Sequence, residues 1–297
     1  MVLQLYLNLL SQPCRAVYIF AKKNHIPFEF QRVDLMTGQQ HSEDFSKVNS
    51  LRRVPALKDG DFTLAESVAI LLYLSRKYGT ADHWYPADLQ ARARVDEYLS
   101  WQHTTVRVNG SKLLWFKLLI PHLSEEPVPQ EKVEGILDDL GANLQQLEEK
   151  FLQDRPFIAG DHISLADLVA IVELMQPVGA GCDIFKNWPK LDEWRMRVEE
   201  ALGKKLFREA HEDILKVLDF SRTPLDAQQK ARYKMLVQKI LTPKLKKQIL
   251  PELGLGELSL FDRKREEREE RFLEGSRRCS TGAEVAGGPR VQAGYTY

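Results

Sequence analysis

The sequence predicts an α/β domain followed by an all-helical domain, and three observations support this fold class. Within residues 1–79, strand and helix patterns follow the order β-α-β-α-β-β-α. After the turn-rich segment 79–86, strand patterns disappear and helical periodicity continues to about residue 242. The length of 297 residues exceeds one ordinary core. We therefore expect domains at 1–79 and 87–242, and an extension at 243–297 that is disordered or loosely helical.

The N-terminal stretch 3–23 combines a strand, a polar turn and the start of a helix. Its apolar residues predict a strand at 3–7, and Pro13 places the helix N-terminus at about Gln12, because proline fits the first helical turn. Ser11 is therefore expected just outside that N-terminus, where unpaired N–H groups and the helix dipole stabilise an anion such as a thiolate. The alternative interpretation is that Ser11 only caps the helix.

The tetrapeptide Ser11–Cys14 has the length of the redox motif Cys-x-x-Cys, with a hydroxyl in place of the first sulfur. In redox proteins that first cysteine is the exposed attacking group. A chain built in this way is expected to polarise the thiol of another molecule. Cys14 is an alternative attacking thiol for an exchange reaction, although we expect it to pack inward, one turn into the helix.

The other elements of the first domain are predicted from alternation and turn residues. Residues 28–33 alternate as a half-buried strand, which predicts a parallel β-α-β unit with the first strand and helix. A short helix is expected at Glu43–Val48. Residues 53–64 predict a hairpin around a Lys-Asp-Gly-Asp turn, and Pro55 is a candidate for a cis bond. Ser67 stands at the N-terminus of a helix over Val68–Tyr78.

The second domain is expected to contain helices only. One long helix is predicted over Leu89–Leu119 with a kink near Asn109-Gly110, and Pro121–Pro129 is expected to break the helical run. Residues 164–167 fit a capping box ahead of an apolar helix. The further predicted helices are Glu131–Leu152, Leu168–Met175, Leu191–Leu202, Lys204–Leu218 and Leu225–Leu241.

Composition and charge argue against several classes of protein. Lys+Arg and Asp+Glu number 42 each, so charge gives no argument for nucleic acid or an acidic membrane as a partner. The 3 cysteines are scattered without metal-ligand spacing, which favours a reducing compartment and predicts no bound metal. We find neither a signal-peptide pattern nor an apolar stretch of about eighteen residues, so a cytoplasmic protein without a membrane span is expected.

Four motifs stand in order along the chain, and together they resemble those of a known family. They are Ser11–Ala16, Arg53–Leu57, Glu66-Ser67 and Ile163–Asp167. Over about residues 1–242 the chain resembles a cytosolic glutathione transferase, and the theta class is the nearest match. The resemblance implies a thioredoxin-like N-terminal domain that binds the cosubstrate glutathione, an all-α domain that shapes a site for small hydrophobic electrophiles, a homodimer, and a role in detoxification. It suggests alkyl halides, epoxides, sulfate esters and organic hydroperoxides as cosubstrates.

The resemblance also assigns contacts with glutathione, whose two carboxylates, ammonium group and thiol need complementary partners. Glu66 is expected to meet the α-ammonium group, and Ser67 with the helix behind it the neighbouring carboxylate. Val54 would offer its backbone to the cysteinyl amide, as in strand addition. Arg53 is placed for the glycyl carboxylate, and Gln12 is a further contact at the first helix N-terminus.

At the glycyl end the chain departs from the family pattern. Where the family has a histidine at position 40, this chain has Gln40, followed by His41. A glutamine can donate a hydrogen bond to a carboxylate but cannot become cationic, so weaker binding of the glycyl end is expected. Arg53 taken alone would fit a solvated surface charge equally well.

For the reaction, the candidate residues are Ser11 and Arg107. The Ser11 hydroxyl is expected to donate to the glutathione sulfur and so favour the thiolate. The resemblance places Arg107 near the reacting centre, where a cation stabilises a departing halide or sulfate, and an interhelical salt bridge is the alternative. A C-terminal helix at 232–241 is expected to cover the site. The rival functions are a non-catalytic interaction module of the same fold and a thiol exchange enzyme that uses Cys14.

Overall fold

Four strands form the single sheet of the first domain in a computed structural model that describes residues 2–240 of the chain. They are β1 (Gln4–Leu7), β2 (Glu29–Arg32), β3 (Ala56–Asp59) and β4 (Phe62–Ala65). The sheet order is β2-β1-β3-β4. β1 pairs in parallel with β2 and antiparallel with β3, and β4 pairs antiparallel with β3. The parallel β-α-β unit and the hairpin predicted from the sequence are both confirmed.

Three helices complete the first domain: α1 (Gln12–Lys23), α2 (Glu43–Val48) and α3 (Ser67–Lys77). The first helix begins at Gln12 with Pro13 in its first turn, as predicted. Every residue from Cys14 to Ala21 is buried, because α1 packs against α3 and against two helices of the second domain. The Val54-Pro55 peptide bond is cis, so the proline marked as a candidate for that isomer adopts it just before β3.

Helices joined by loops make up the described part of the second domain, which also has one isolated β-bridge between Phe157 and Gly160. Its helices are α4 (Leu89–Trp101), α5 (Val106–Leu114), α6 (Ile120–Ser124), α7 (Gln130–Gln146), α8 (Leu165–Gly179), α9 (Pro189–Leu202), α10 (Lys204–Leu215), α11 (Val217–Arg222) and α12 (Ala227–Ile240). A π-helical segment, Trp115–Leu119, joins α5 to α6, and another, Leu147–Leu152, follows α7. Within residues 2–240 no helix is both long enough and apolar enough to span a bilayer.

The predicted kink near Asn109-Gly110 was wrong, because the long helical run breaks earlier, at residues 102–105. Thr105 has φ −121° and ψ −96°, and its hydroxyl donates to the carbonyl of Trp101 at 2.8 Å. That side chain replaces a backbone donor and allows the break. Gly110 lies inside α5, and a Cβ there would be 3.4 Å from the carbonyl oxygen of Glu173. The glycine therefore serves the close packing of α5 on α8.

The predicted break at Pro121–Pro129 begins later than expected. Pro121 stands in the first turn of α6, where a proline needs no N–H partner, and the helix continues to Ser124. The chain leaves the helix at Glu125, which has a φ of +63°. The proline therefore starts a helical turn, and the left-handed residue after it ends the run.

A capping box starts the central helix of the second domain, as predicted, although α8 begins at Leu165 and so precedes the predicted start. The Ser164 hydroxyl accepts from the N–H of Ala166, and Asp167 accepts from the N–H of Ser164 at 2.9 Å. The same carboxylate accepts from the indole of Trp194 at 2.9 Å. Burial raises the pKa of Asp167, and these hydrogen bonds oppose the shift.

The last described helix, α12, lies within the predicted segment 225–241. α12 packs against α6, and Lys230 pairs with Glu125 at 2.5 Å. The cover over the site that is expected from residues 232–241 stays a prediction. The predicted extension at 243–297 lies outside the described residues.

We expect Gly179→Ala to lower the free energy of unfolding by about 1–3 kcal/mol, because overpacking a close contact forces the backbone to shift. A Cβ at this position would lie 2.6 Å from the carbonyl oxygen of Ile214, where α8 meets α10. Urea denaturation of both proteins measures the difference. Gly135→Ala in α7 is the matched control, since its Cβ meets nothing within 4 Å and helix propensity favours alanine by up to about 1 kcal/mol. Equal stability of Gly179→Ala and the wild type would contradict this packing argument.

Candidate active site

Ser11 lies at the N-terminus of α1 and makes no capping hydrogen bond with its side chain. Its backbone is extended, with φ −85° and ψ 124°, and its carbonyl accepts from the N–H of Arg15 at 3.0 Å. The side chain is partly exposed, and its hydroxyl lies against the Cys14 thiol. The capping interpretation of Ser11 therefore fails, and a hydroxyl donor remains beside the positive end of a helix dipole.

Cys14 is fully buried one turn into α1, as expected from the sequence. Burial raises the pKa of its thiol to about 11, and the Ser11 hydroxyl and the Arg15 charge oppose this shift only in part. A thiol with such a pKa carries almost no thiolate at neutral pH. Cys14 is therefore a poor attacking group for thiol exchange.

Arg15 fixes the turn that precedes Ser11. Its Nη1 donates to the carbonyls of Leu9 and Leu10 at 2.9 and 3.1 Å. Its Nη2 crosses into the second domain and donates to the carbonyl of Val172 at 2.9 Å and to Oε1 of Gln176 at 2.7 Å. Burial lowers the pKa of Arg15 to about 10, so the side chain stays cationic at neutral pH.

Sequence reasoning missed this arginine as a functional residue. The available signal was a charge next to Cys14 in a helix whose following residues are apolar. A buried charge is retained only where several acceptors compensate it. The position of those acceptors, two on the preceding turn and two on α8, could not be predicted from local spacing.

The turn from β4 to α3 presents a second helix N-terminus. Glu66 precedes α3 with a φ of +67°, a left-handed conformation that costs a non-glycine residue about 1–3 kcal/mol. Its side chain is exposed and makes no capping bond, while Ser67 is buried as the first residue of α3. Glu66 is electrostatically coupled to His103 at the break between α4 and α5. The turn therefore faces the second domain.

The segment before β3 offers unpaired backbone groups. Among residues 2–240, the N–H and C=O of Val54 take part in no hydrogen bond of the structure. The neighbouring Arg53 side chain is exposed, and the carbonyl of Arg53 accepts from Asn49 at 2.7 Å. Arg52, with a φ of +55°, donates to the carbonyl of His41 at 2.8 Å and holds the two loops together.

Gln40 lies in the short 3-10 turn Gln39–His41 and is only 4% exposed. Its Oε1 is buried and has no partner in the described part of the chain. An unsatisfied buried acceptor costs about 1–3 kcal/mol, so this atom is available to a donor that enters the loop region. His41 is partly exposed, and its carbonyl is held by Arg52.

Gln12 uses its side chain to join the domains. Its Nε2 donates to the hydroxyl of Ser111 on α5 at 2.9 Å, and the residue is buried. The N-terminus of α1 is thereby held against α5. The side-chain amide of Gln12 thus has a structural bond that competes with the predicted contact to the ligand.

Arg107 forms the interhelical salt bridge that was the alternative to a catalytic role. Its Nε and Nη2 both lie 2.8 Å from Oε1 of Glu173, a fully buried residue of α8. Its Nη1 lies 3.0 Å from Nδ1 of His103. Because arginine only donates, His103 accepts through Nδ1 and carries its proton on Nε2. Burial and the Arg107 charge lower the pKa of His103, and Glu66 opposes the shift.

These groups can together recognise a short extended peptide with charges at both ends. The two helix N-termini suit anions, Glu66 suits an ammonium group, and the backbone of Val54 suits a peptide unit. Over residues 2–240 no group of three or more His, Cys, Asp or Glu side chains is arranged to hold a metal ion.

Sequence comparison finds two domains of one family in the chain. Residues 1–76 match the glutathione S-transferase N-terminal domain, and residues 110–201 match the glutathione S-transferase C-terminal domain. Glutathione S-transferase theta-1 of Homo sapiens is 64% identical over 220 residues, which cover 74% of this chain and 92% of that protein.

Solved structures agree with the sequence comparison. The apo form of human glutathione-S-transferase T1-1 matches with a TM-score of 0.76 and 60% identity, over 81% of this chain and 100% of that chain. A human theta-class glutathione transferase in complex with the glutathione conjugate of 1-menaphthyl sulfate matches with a TM-score of 0.73 and 50% identity, over 81% of this chain and 100% of that chain. The thioredoxin-like first domain and helical second domain are confirmed.

We expect Arg107→Met to raise the pKa of His103, because one of the two causes that lower it is removed. NMR titration of the His103 ring measures the shift. Lys112→Met is the matched control, since Lys112 lies on the same helix and contacts Asn109 rather than His103. A His103 pKa that stays the same or falls in Arg107→Met would contradict the contact.

Proposed function

The chain belongs to the theta class of the glutathione S-transferase family, and we propose that it joins the glutathione thiolate to small electrophiles. The transferase activity itself follows from the family. The single observation that carries the proposed mechanism is the Ser11 hydroxyl, which makes no capping bond beside the N-terminus of α1.

In this mechanism Ser11 donates its hydroxyl proton in a hydrogen bond to the glutathione sulfur. A free thiol has a pKa of about 8.5, and each unit by which the pKa falls corresponds to about 1.4 kcal/mol. A hydroxyl donor and a helix N-terminus both favour the anion, so together they hold the sulfur as a thiolate near neutral pH. Among the described residues we recognise no His-Asp pair next to Ser11 that would activate it as a covalent nucleophile, and none is needed for this role.

The peptide part of glutathione would be held by the groups that surround Ser11. Glu66 pairs with the α-ammonium group, while the Ser67 hydroxyl and the N-terminus of α3 receive the α-carboxylate. The free N–H and C=O of Val54 bond the cysteinyl amide, and the exposed Arg53 side chain meets the glycyl carboxylate. These contacts are supported by the exposure of Glu66 and Arg53 and by the unpaired backbone of Val54.

Gln40 and His41 would hold the glycyl end of glutathione more weakly than a cationic residue at position 40 would. Gln40 and His41 belong to one turn, and the buried Oε1 of Gln40 can accept from a peptide N–H of the ligand. Gln12 would act through the helix N-terminus that it helps to anchor, because its amide is bonded to Ser111.

We infer that alkyl halides, epoxides and sulfate esters are the electrophile classes, with organic hydroperoxides as substrates of a peroxidase activity, and that detoxification is the role. A structure of a human theta-class relative holds the glutathione conjugate of 1-menaphthyl sulfate, which supports sulfate esters. Halide and sulfate leave as anions, and Nη1 of Arg107, which donates one N–H to His103, would stabilise the departing charge with its other N–H.

Two rival functions make distinct claims. A non-catalytic module would bind glutathione without turnover of any electrophile. A thiol exchange enzyme would need the Cys14 thiolate, which burial disfavours. Ser11, Glu66 and Ser67 are all present at the site, which supports catalysis over the first rival.

We also propose that the protein is a cytoplasmic homodimer. Cys14 and Cys182 are both free thiols, which supports a reducing compartment. Phe62 on β4 and Leu89 on α4 expose 46% and 78% of their surface, which supports a contact between two copies.

We expect Ser11→Ala to lower kcat/KM for glutathione conjugation by about 100-fold, the scale found when one hydrogen-bond donor to a developing anion is removed. Cys14→Ala is the matched control one turn away and should retain most of the activity. Steady-state assays with an alkyl halide measure both variants, and ultraviolet absorbance of the bound thiolate should be lost only in Ser11→Ala. Loss of activity in Cys14→Ala with retention in Ser11→Ala would establish the exchange mechanism instead.

We expect the purified chain to elute as a species of twice its mass of 34.2 kDa. Light scattering after size-exclusion chromatography measures the mass without reference to shape. The double variant Phe62→Glu, Leu89→Glu should shift the population towards the single chain, because a buried unpaired charge opposes association. A mass of 34.2 kDa for the wild type at micromolar concentration would contradict the homodimer.

A further inference from the structure

The carboxylate of Glu173, near the contact between the two domains, has no role in the proposed mechanism. Glu173 lies in the middle of α8 and is completely buried. It is the one charged side chain among the apolar residues 168–175. A buried carboxylate in such a helix is retained only when its charge is compensated. The groups that compensate it therefore indicate what it does.

Two arginines, one from each domain, surround this carboxylate. Arg107 on α5 donates to Oε1 of Glu173 through both Nε and Nη2, at 2.8 Å each. Arg15 on α1 is electrostatically coupled to the same carboxylate. Oε2 of Glu173 is buried without a hydrogen-bond partner in the described residues. Glu173 therefore uses one oxygen to hold Arg107 and leaves the other without a bond.

The contact fixes the orientation of the Arg107 guanidinium. Because Nε and Nη2 lie on one edge of this planar group, that edge is held against α8. The opposite corner, Nη1, then points to His103, which is coupled to Glu66 at the start of α3. Gly110 allows this arrangement, since it brings the backbone of α5 close to α8 one turn after Arg107.

We propose that Glu173 is a positioning residue for the transfer reaction: it holds the Nε/Nη2 edge of Arg107 so that Nη1, which donates one N–H to His103, directs its other N–H to the leaving group. The proposal rests on the role of Arg107 given under the proposed function. An unrestrained guanidinium at the end of a long rotatable side chain would reach many positions, whereas one held on an edge by a fixed carboxylate stabilises a developing anion without reorganisation. Electrophiles that release halide or sulfate then depend on Glu173, and additions that release nothing depend on it much less.

Glu173→Gln removes the charge and keeps the shape of the side chain. With 4-nitrobenzyl chloride, which releases chloride, kcat should fall by about 10- to 100-fold, while KM for glutathione changes by less than about 3-fold. Addition of glutathione to phenethyl isothiocyanate, which has no leaving group, should change by less than about 3-fold. The pH midpoint of the bound thiolate absorbance should stay unchanged, because Ser11 is untouched.

The double variant Arg107→Met, Glu173→Gln separates positioning from a structural role. If Glu173 acts through Arg107, the second substitution adds no further loss of chloride-releasing turnover in the Arg107→Met background. An equal loss for both electrophiles, or a loss that persists in that background, would overturn the proposal. Glu173→Asp keeps the charge and serves if Glu173→Gln does not fold. Used alone, Glu173→Asp should slow the chloride-releasing reaction more than the addition. Where both variants fold, Glu173→Asp should keep more of the chloride-releasing turnover than Glu173→Gln.

A measurement without turnover distinguishes this proposal from the proposed function. The Nε–H proton of Arg107 should give a slowly exchanging NMR signal in the full-length wild type, and its shift should change in Glu173→Gln and in Glu173→Asp. An unchanged signal would overturn the positioning role even if the enzyme is active. Wild-type protein that shows the expected signal but converts neither electrophile would overturn the proposed function and leave the contact established.

Discussion

The buried guanidinium of Arg15 is the interaction on which the arrangement of the site depends. It holds the carbonyls of Leu9 and Leu10 with one nitrogen and α8 of the second domain with the other. Removal of a partner from a buried charge is costly, so the turn before Ser11 cannot shift without loss of the domain contact. Burial, together with the same charge, lowers the pKa of His211 to about 3 and keeps that buried ring neutral. Domain packing therefore determines where the Ser11 hydroxyl lies.

Local chemistry in the sequence predicted the parts of the fold that are determined locally. Pro13 marked the start of α1, and Ser164 with its carboxylate partner marked the start of α8, because unsatisfied N–H groups at a helix N-terminus select particular residue types. The cis candidate Pro55 and the hairpin that follows it were also found from local chemistry, because X–Pro bonds tolerate the cis form and the Lys-Asp-Gly-Asp sequence favours a turn. Two helix N-termini and the unpaired backbone of Val54 before β3 make up most of the candidate site, so most of its residues could be named from sequence.

Contacts between elements distant in sequence were not predictable in this way. The pairing of Arg107 with Glu173 joins residues 66 positions apart, and nothing in the spacing of either helix indicates it. The break at Thr105 depends on one hydroxyl that bonds a carbonyl in the preceding turn, whereas glycine at 110 looked like the weaker point. The position of α12 depends on its contact with α6. Local propensity cannot decide among such alternatives, since packing of distant helices supplies the difference.

The proximity of Cys14 to Ser11 explains how a site with its own thiol can serve the thiol of another molecule. The Ser11 hydroxyl lies against Cys14, but burial keeps that thiol neutral, with a pKa of about 11. Hydrogen bonds to an ionised acceptor are roughly twice as strong as those to a neutral one. A thiolate that enters the partly exposed side of Ser11 therefore competes successfully for the hydroxyl proton. In the proposed mechanism, burial of Cys14 thus removes the internal competitor and leaves the donor of Ser11 to the substrate.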